Sequence, residues 1–257
     1  MKSPMLNVDA YLARLNVARP SVPSTEMLRR LQRAHLRAIP FENLSIMRGE
    51  PIPLDEASLF DKIVVRRRGG FCYELNGLFA ALLRALGYRV SLLSARVANE
   101  GGDFSPEFDH LALRVDLATP WLVDVGFGDA FLEPLPLVSG EVVRQGRKVF
   151  RVDGPGPDWI LHEGSSEATL VPVYRFEMRA RELSEFEDRC AYHRTSAESH
   201  FHQGTLCTRT TPTGRVTLSG YRLIETVDGH RSETAIADSE IPAVLARVFG
   251  IELPPGR

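Results

Sequence analysis

A cysteine, a histidine and an aspartate, in that order at positions 72, 110 and 124, are the residues of this chain whose types and settings suit covalent chemistry. Cys72 lies in Arg66-Arg67-Arg68-Gly69-Gly70-Phe71-Cys72-Tyr73-Glu74-Leu75-Asn76-Gly77-Leu78-Phe79. From it onward Leu75, Leu78, Phe79, Leu82, Leu83 and Leu86 recur at helical spacing and Gly87 supplies a stop. The pattern predicts a helix that opens at Cys72, with the two glycines forming the bend before its first turn. A thiol there meets unpaired N–H groups and the positive end of the helix dipole. Both favour thiolate and lower a pKa that is otherwise about 8.5. A buried structural cysteine is the competing reading, and it accounts for Cys72 alone but not for the groups that follow.

A thiolate that attacks an acyl group needs an imidazole beside it and a third group to orient that imidazole. In Asp109-His110-Leu111-Ala112-Leu113-Arg114-Val115-Asp116-Leu117 the odd positions are apolar from Leu111 on and alternate with His110, Ala112, Arg114 and Asp116. This is a strand pattern that points His110 away from the leucine-lined face. The next strand, Trp121-Leu122-Val123-Asp124-Val125, buries a carboxylate in an apolar run and ends in Gly126-Phe127-Gly128. An ionised aspartate there is costly unless partnered. In a simple hairpin, setting His110 opposite Asp124 requires a turn centred on Leu117, whereas Pro120 suggests a later one, and a β-bulge is expected to reconcile the two.

The elements that must carry these groups change texture along the chain. From Val8 to Leu86 the periodicity is helical: Tyr11, Leu12 and Leu15, then Thr25 ahead of Met27, Leu28, Leu31 and Leu36, then the Cys72 helix. From Tyr88 to Met178 it is strand-like, with strands over Val90 to Val97, Glu141 to Val152 and Val171 to Met178, and a turn at Gly154-Pro155-Gly156-Pro157. That reads as a small antiparallel barrel or sheet. Beyond it come a helical stretch from Arg181 to Tyr192, a hairpin (Gly204 to Thr210, Gly214 to Leu223), a short strand near Thr226 and a helix from Ile241 to Phe249. The predicted class is α+β, divided into 1–87 (helical, carrying the nucleophile), 88–180 (barrel, carrying His and Asp) and 181–257 (an α/β lid).

The chain resembles the arylamine N-acetyltransferase family. The resemblance is carried by Pro40-Phe41-Glu42-Asn43-Leu44, Leu59-Phe60-Asp61-Lys62-Ile63-Val64, Arg67-Arg68-Gly69-Gly70-Phe71-Cys72, His110, and Leu122-Val123-Asp124-Val125-Gly126-Phe127-Gly128, in the family's order and near its spacings. It implies a papain-like cysteine-enzyme core, with Cys72, His110 and Asp124 as the catalytic residues of a ping-pong reaction. In that reaction acetyl-coenzyme A acetylates Cys72, and an aromatic amine or hydrazine takes the acetyl group. Phe41 and Phe127 map to positions that line the acceptor pocket. Ser199-His200-Phe201, after Tyr192-His193-Arg194-Thr195, resembles the family's Ser-x-Phe element, although its upstream Asn is replaced around Cys190-Ala191. Phe201 is accordingly assigned to the substrate, and Thr195, Ser199 and Arg209 to coenzyme A. Arg68 is expected to pair with Glu42 and hold the glycine turn, leaving Arg66 and Arg67 solvated. An amide synthase of the same family, fed by an acyl carrier protein, shares these residues. The Phe-Glu-Asn-Leu and Arg-Arg-Gly-Gly elements argue against a papain-like hydrolase or transglutaminase.

Composition agrees with a soluble intracellular enzyme. With 257 residues, 44% of them hydrophobic, the chain can bury a sizeable core. Its 31 basic and 33 acidic residues nearly balance, so no nucleic-acid partner is implied, and the lack of a broad basic surface favours free coenzyme A over an acidic carrier protein. Cys72, Cys190 and Cys207 form no metal-ligand spacing, and His200 and His202 lack a third ligand nearby, so reduced thiols and no metal are expected. Pro4 and Asp9 interrupt the N-terminus too early for a signal h-region, and no apolar run reaches the length of a membrane span, so a cytoplasmic location is expected. Oligomeric state is left open.

Overall fold

The computed structural model describes residues 6–154, 156 and 158–253. Met1 to Met5, and Pro155 and Pro157 of the expected Gly-Pro turn, lie outside them. The helical part starts with α1 (Val8–Leu15), capped by Asn7 Oδ1 on Ala10 N and stopped by Asn16 in the left-handed region at φ 55°. In α2 (Thr25–Ala38), Ser24 Oγ accepts Met27 N, and Leu28, Leu31, Gln32 and His35 form the buried stripe. Strand β1 (Phe41–Glu42) and the short helices α3 (Leu44–Met47) and α4 (Glu56–Phe60) follow, and α4 runs into a π-helical turn at Asp61–Val65. Helix α5 (Cys72–Ala85) begins where the leucine periodicity placed it. It is buried on nearly every side, because α1, α4 and two strands of the barrel pack around it.

Eight antiparallel strands form the second layer: β2 (Arg89–Val97), β3 (His110–Asp116), β4 (Pro120–Val123), β5 (Leu135–Pro136), β6 (Val142–Gln145), β7 (Lys148–Asp153), β8 (Asp158–Gly164) and β9 (Val171–Glu177), in the order β5-β4-β3-β2-β9-β8-β7-β6. The sheet curls into a nearly closed barrel. Gln145 at the end of β6 joins its two edges, accepting the N–H groups of Leu132 and Glu133 and donating to the Glu133 carbonyl just ahead of β5.

The β3–β4 hairpin resolves the expected conflict without a bulge. Leu113 pairs with Val123 and Asp116 with Pro120, so the turn centres on Ala118 and the register is continuous. Extended by one step, that register sets Asp124 opposite Ala112 and diagonal to His110, a separation that an imidazole and a carboxylate can span. Side-chain parity does the rest. Leu111, Leu113, Val115, Val123 and Val125 pack into the core shared with α5, while Ala112 and Leu122 face the barrel interior. His110 and Asp124 share the parity of Ala112 and Leu122.

A 3₁₀ turn (Leu183–Phe186) and α6 (Glu187–Thr195) return to the helical core, where Phe186 and Cys190 are buried. The last layer is the sheet β1-β10-β11-β12-β13, built from β1 and β10 (Leu206–Thr211), β11 (Gly214–Ser219), β12 (Arg222–Val227) and β13 (His230–Ala235). Helix α7 (Ile241–Val244) and the π turn Leu245–Phe249 cover it, and Gly250 at φ 68° ends them. The expected single strand near Thr226 is thus a hairpin. Its second strand is exposed throughout and shows no apolar alternation, but Asp228-Gly229, both at positive φ, is the two-residue turn signature. The apolar clusters also cross the expected boundaries at 87 and 180, since α5, β2, β3 and α6 share one core.

Candidate active site

The bend before α5 is built from close contacts that only glycine allows. A Cβ on Gly69 would run into the Pro40 carbonyl oxygen, and one on Gly70 would sit 2.6 Å from Glu74 Oε2. Glu74 in the first turn accepts Phe71 N at 3.3 Å and the Lys62 ammonium at 2.7 Å, so the helix start rests on a buried ion pair. Arg68 forms the expected pair with Glu42, Nε to Oε1 at 3.0 Å, and reaches Ser45 Oγ. Glu42 Oε2 also accepts Leu44 N, so the pair anchors the turn to β1 and α3. Arg66 meets Asp61 at the surface, and the Arg67 carbonyl accepts Arg14 Nη2.

Cys72 is 3% exposed. Burial is the largest influence on its thiol and pushes the pKa well above the ordinary value; the backbone N–H of Leu111 acts the other way, and the Asp124 carboxylate adds to the rise. This corrects the expectation of a lowered pKa. The helix start is present, but the sequence pattern did not convey how completely α5 is enclosed.

His110 opens β3, and its Nε2 lies 2.7 Å from Asp124 Oδ2. Asp124 follows the last residue of β4, where its side chain leaves the ladder and gathers donors. Oδ1 accepts Asn76 Nδ2 and the Gly126 N–H, each at 2.8 Å, and Oδ2 also accepts the Tyr174 hydroxyl at 3.2 Å. Four groups converge on two oxygens, and the three besides His110 all donate. That set suits the acceptor-only carboxylate and makes His110 Nε2 a donor too, which leaves Nδ1 as the basic nitrogen. Asn76 binds α5 to this end of the hairpin through Leu111 O at 2.6 Å and Val125 N at 2.9 Å. Gly126 lets the two elements close up, since a Cβ there would lie 2.7 Å from the Cys72 Cα.

A thiol, an imidazole and a carboxylate on one rigid frame have known counterparts. The family model described as N-acetyltransferase matches residues 24–256. The chain belongs to the arylamine N-acetyltransferase family. It is 33% identical to the pineal gland isozyme NAT-3 arylamine N-acetyltransferase of Gallus gallus, over 96% of this chain and 95% of that protein. The structure of the Salmonella typhimurium arylamine N-acetyltransferase superposes with a TM-score of 0.91 at 31% identity, covering 99% of this chain and 96% of that one. A Bacillus cereus arylamine N-acetyltransferase, described as having a unique Cys-His-Glu catalytic triad, superposes with a TM-score of 0.89 at 25% identity, covering 97% and 100%. The fold is thus that of an arylamine N-acetyltransferase, and the protein is an acyltransferase.

Of the three aromatic residues assigned to the substrate, Phe127 touches this frame directly, and Phe41 and Phe201 pack together beside Phe71, the residue before Cys72. Phe127 meets the His110 ring edge-on at 5.1 Å and Tyr174 at 5.4 Å. Phe41 lies 6.1 Å from Phe201, which also packs on Phe71 at 5.4 Å. The residues assigned to coenzyme A each already have a protein partner. Thr195 is exposed at the end of α6, its hydroxyl donating to Ala191 O. Ser199 is buried, holding His193 and the Phe201 N–H. Arg209 ties α2 to the C-terminal turn, donating to the carbonyls of Arg37 and Val248. From the same sheet Arg215 donates to Gly128 O and pins the loop after Asp124.

Asn76, Tyr174, Arg215 and Gln32, whose Oε1 accepts Asp124 N at 3.4 Å, were not anticipated. Asn76 had a signal: it is polar on an apolar helix and one turn after Cys72, hence on the same face. Asn43 had another, within the Phe-Glu-Asn-Leu element. Its amide donates to Phe201 O and Gly204 O and accepts Leu206 N, stapling the Phe201 segment to β1.

Proposed function

We propose that the protein transfers an acetyl group from acetyl-coenzyme A to an arylamine or arylhydrazine through an acetyl-Cys72 intermediate, with Cys72, His110 and Asp124 as the catalytic residues. The observation that carries this reading is the donor set on Asp124, which fixes His110 with Nε2 protonated and Nδ1 basic. As the sulfur attacks the thioester carbon, the thiol proton passes to Nδ1, so the raised thiol pKa is overcome in the step itself and not in the resting enzyme. The Cys72 N–H at the helix start donates to the developing oxyanion. When the tetrahedral intermediate collapses, the carbon–sulfur bond to coenzyme A breaks and the leaving thiolate takes the proton from His110. The amine then attacks the acetyl carbon, His110 Nδ1 takes its proton, and the Cys72 sulfur leaves and recovers that proton.

Phe41, Phe127 and Phe201 offer ring faces and edges to an aromatic acceptor. Thr195 has the exposure that a contact to coenzyme A needs, whereas Ser199 and Arg209 support that side of the cleft through the contacts they already make. The protein acts on small molecules in this reading and works in the cytoplasm; no described helix is long and apolar enough to cross a membrane.

The test is mass spectrometry of the protein incubated with millimolar acetyl-coenzyme A and no amine. The Cys72 peptide should gain one acetyl group and lose it when an aniline or hydrazine is added, and Cys72→Ala should abolish transfer while circular dichroism stays unchanged. An active Cys72→Ala protein sinks the mechanism. Loading from an acyl carrier protein thioester but not from acetyl-coenzyme A replaces it with the amide-synthase reading.

A further inference from the structure

Asp109, the residue before His110, belongs to a second imidazole–carboxylate pair that the proposed reaction does not use. Its Oδ1 lies 3.1 Å from His193 Nε2 and 2.7 Å from Arg189 Nε. His193 Nδ1 lies 2.9 Å from Ser199 Oγ, and that oxygen accepts the Phe201 N–H at 3.3 Å. Asp109, His193 and Ser199 are all buried. One assignment satisfies every group: Phe201 N–H donates to Ser199 Oγ, the Ser199 hydroxyl to His193 Nδ1, and His193 Nε2–H to an ionised Asp109. Burial pushes the Asp109 carboxyl up, but hydrogen bonds from His193, Ser105 and Arg189 outweigh it and hold the group well below the usual carboxylate range. Asp, His and Ser also make up a hydrolase triad. Ser199 does not serve as its nucleophile, because its oxygen accepts the Phe201 N–H and caps the turn at His200–His202.

Both ends of this relay reach the candidate site. At one end, Asp109 closes the segment that delivers His110. Phe108 holds φ 63°, a costly conformation for a bulky side chain. It is kept there by Ser94 Oγ, which accepts its N–H at 2.8 Å, and by the Tyr73 hydroxyl, which donates to the carbonyls of Phe108 (2.7 Å) and Asp109 (3.2 Å). Tyr73 directly follows Cys72. At the other end, Phe201 packs on Phe71, Phe41 and the His193 ring itself, at 5.1 Å.

We infer that His193 is a positioning residue, whose relay from Phe201 through Ser199 to Asp109 sets where β3 begins and so where the His110 imidazole stands relative to Cys72. The inference rests on the proposed pairing of Cys72 with His110. It distinguishes hydrogen bonding from mere space filling, and two substitutions separate those. Phenylalanine keeps an aromatic ring among Phe71, Tyr73 and Phe201 but neither donates nor accepts; glutamine is smaller, yet its amide does both.

The experiment measures two rates in folded H193F, H193Q, D109N, S199A and D109N/H193F proteins, each normalised to the fraction that retains the parent near-ultraviolet circular dichroism. One is acetylation of Cys72 by acetyl-coenzyme A, followed by stopped-flow thiol release. The other is alkylation of Cys72 by iodoacetamide, which reads the thiol–imidazole geometry whether or not acetyl-coenzyme A is the donor. H193F should slow both by about tenfold, with the half-saturating acetyl-coenzyme A concentration little changed, since misplacing a catalytic group acts on the reacting geometry and not on binding. H193Q should recover to within about threefold of the parent, and D109N/H193F should be no slower than the worse single variant, because members of one relay are not additive. S199A breaks the relay without touching the ring and should fall between parent and H193F. Rates in H193F within about twofold of the parent, equal slowing in H193Q and H193F, or multiplying effects in the double variant would each overturn the assignment. If the parent takes no acetyl group but its alkylation follows the expected order, the proposed donor is wrong and the positioning role stands.

Discussion

Asp124–His110 and Asp109–His193 are two buried carboxylate–imidazole pairs that meet where β3 begins, at His110 and the residue just before it, and their surroundings set them apart. Asp124 receives only uncharged donors besides the imidazole: an amide, a backbone N–H and a phenol. Asp109 receives a guanidinium as well, so its charge is matched before His193 contributes. The second ring nitrogen differs too. His193 Nδ1 is occupied by Ser199 Oγ, whereas His110 Nδ1 is the nitrogen that the proposed reaction assigns to the Cys72 proton. In the proposed reaction the same two side chains would thus make a strut in one place and a proton carrier in the other, the difference being whether one ring nitrogen remains basic for a reacting group.

The largest expected effect is at Asp124. Asp124→Asn should cost about 10³–10⁴ in the stopped-flow rate of Cys72 acetylation, because an amide can hold the wrong imidazole tautomer and cannot balance its positive charge. A loss below tenfold would mean that the two pairs do not divide the roles as described. Next in size is the dependence of alkylation on His110. Burial pushes Cys72 and Cys207 well up and Cys190 up to about 12, and the proposed His110 base is what would set Cys72 apart most. Substoichiometric iodoacetamide at neutral pH should label Cys72 first, by peptide mapping, and His110→Asn should slow that labelling by about 100-fold. Equal labelling of the three cysteines would show that no base assists Cys72.

A smaller effect is expected at Tyr174→Phe. It deletes one of four donors from Asp124 and should slow acetylation by about fivefold, the worth of about 1 kcal/mol. The smallest concerns acid stability. The Asp109 carboxyl is depressed in the folded protein, so its contribution is present above the unfolded value of about 3.9 and is lost as pH falls toward the folded one. In that window the unfolded state binds more protons, and stability rises with pH. Asp109→Asn should therefore flatten the acid limb of a Tm-against-pH curve below about pH 4 and leave its slope from pH 5 to 7 unchanged. An acid limb as steep as the parent's would show that the Asp109 pair carries no charge linkage.

Several pieces of the site were legible before any fold. The opening of α5 at Cys72, the leucine-lined face of β3 that turns to the core without His110, and the Arg68–Glu42 pair all came through. The bulge did not, because a turn centre cannot be placed to one residue when Leu117, Ala118 and Thr119 carry no strong turn signal. Strand β13 was missed because a fully exposed edge leaves no alternation to read. The coenzyme A assignments of Ser199 and Arg209 came from likeness of residue type, and their partners, His193 six residues on one side and Val248 far beyond, are not written in the motif.

What the sequence determined by itself was whatever depends on near neighbours along the chain: helix and strand periods, glycines where a Cβ has no room, and the order Cys72, His110, Asp124. These follow from short-range sterics and from which side of an element is apolar. The tertiary structure decided the state of each group. The Cys72 thiol is pushed up because α5 is enclosed on nearly every side, and Asp124 is an acceptor-only carboxylate because Asn76 and Tyr174, 48 and 50 residues away, bring it donors. His193 binds Asp109 across 84 residues by the same route. Desolvation and hydrogen-bond partnership belong to the packed neighbourhood, and no period in the chain encodes them.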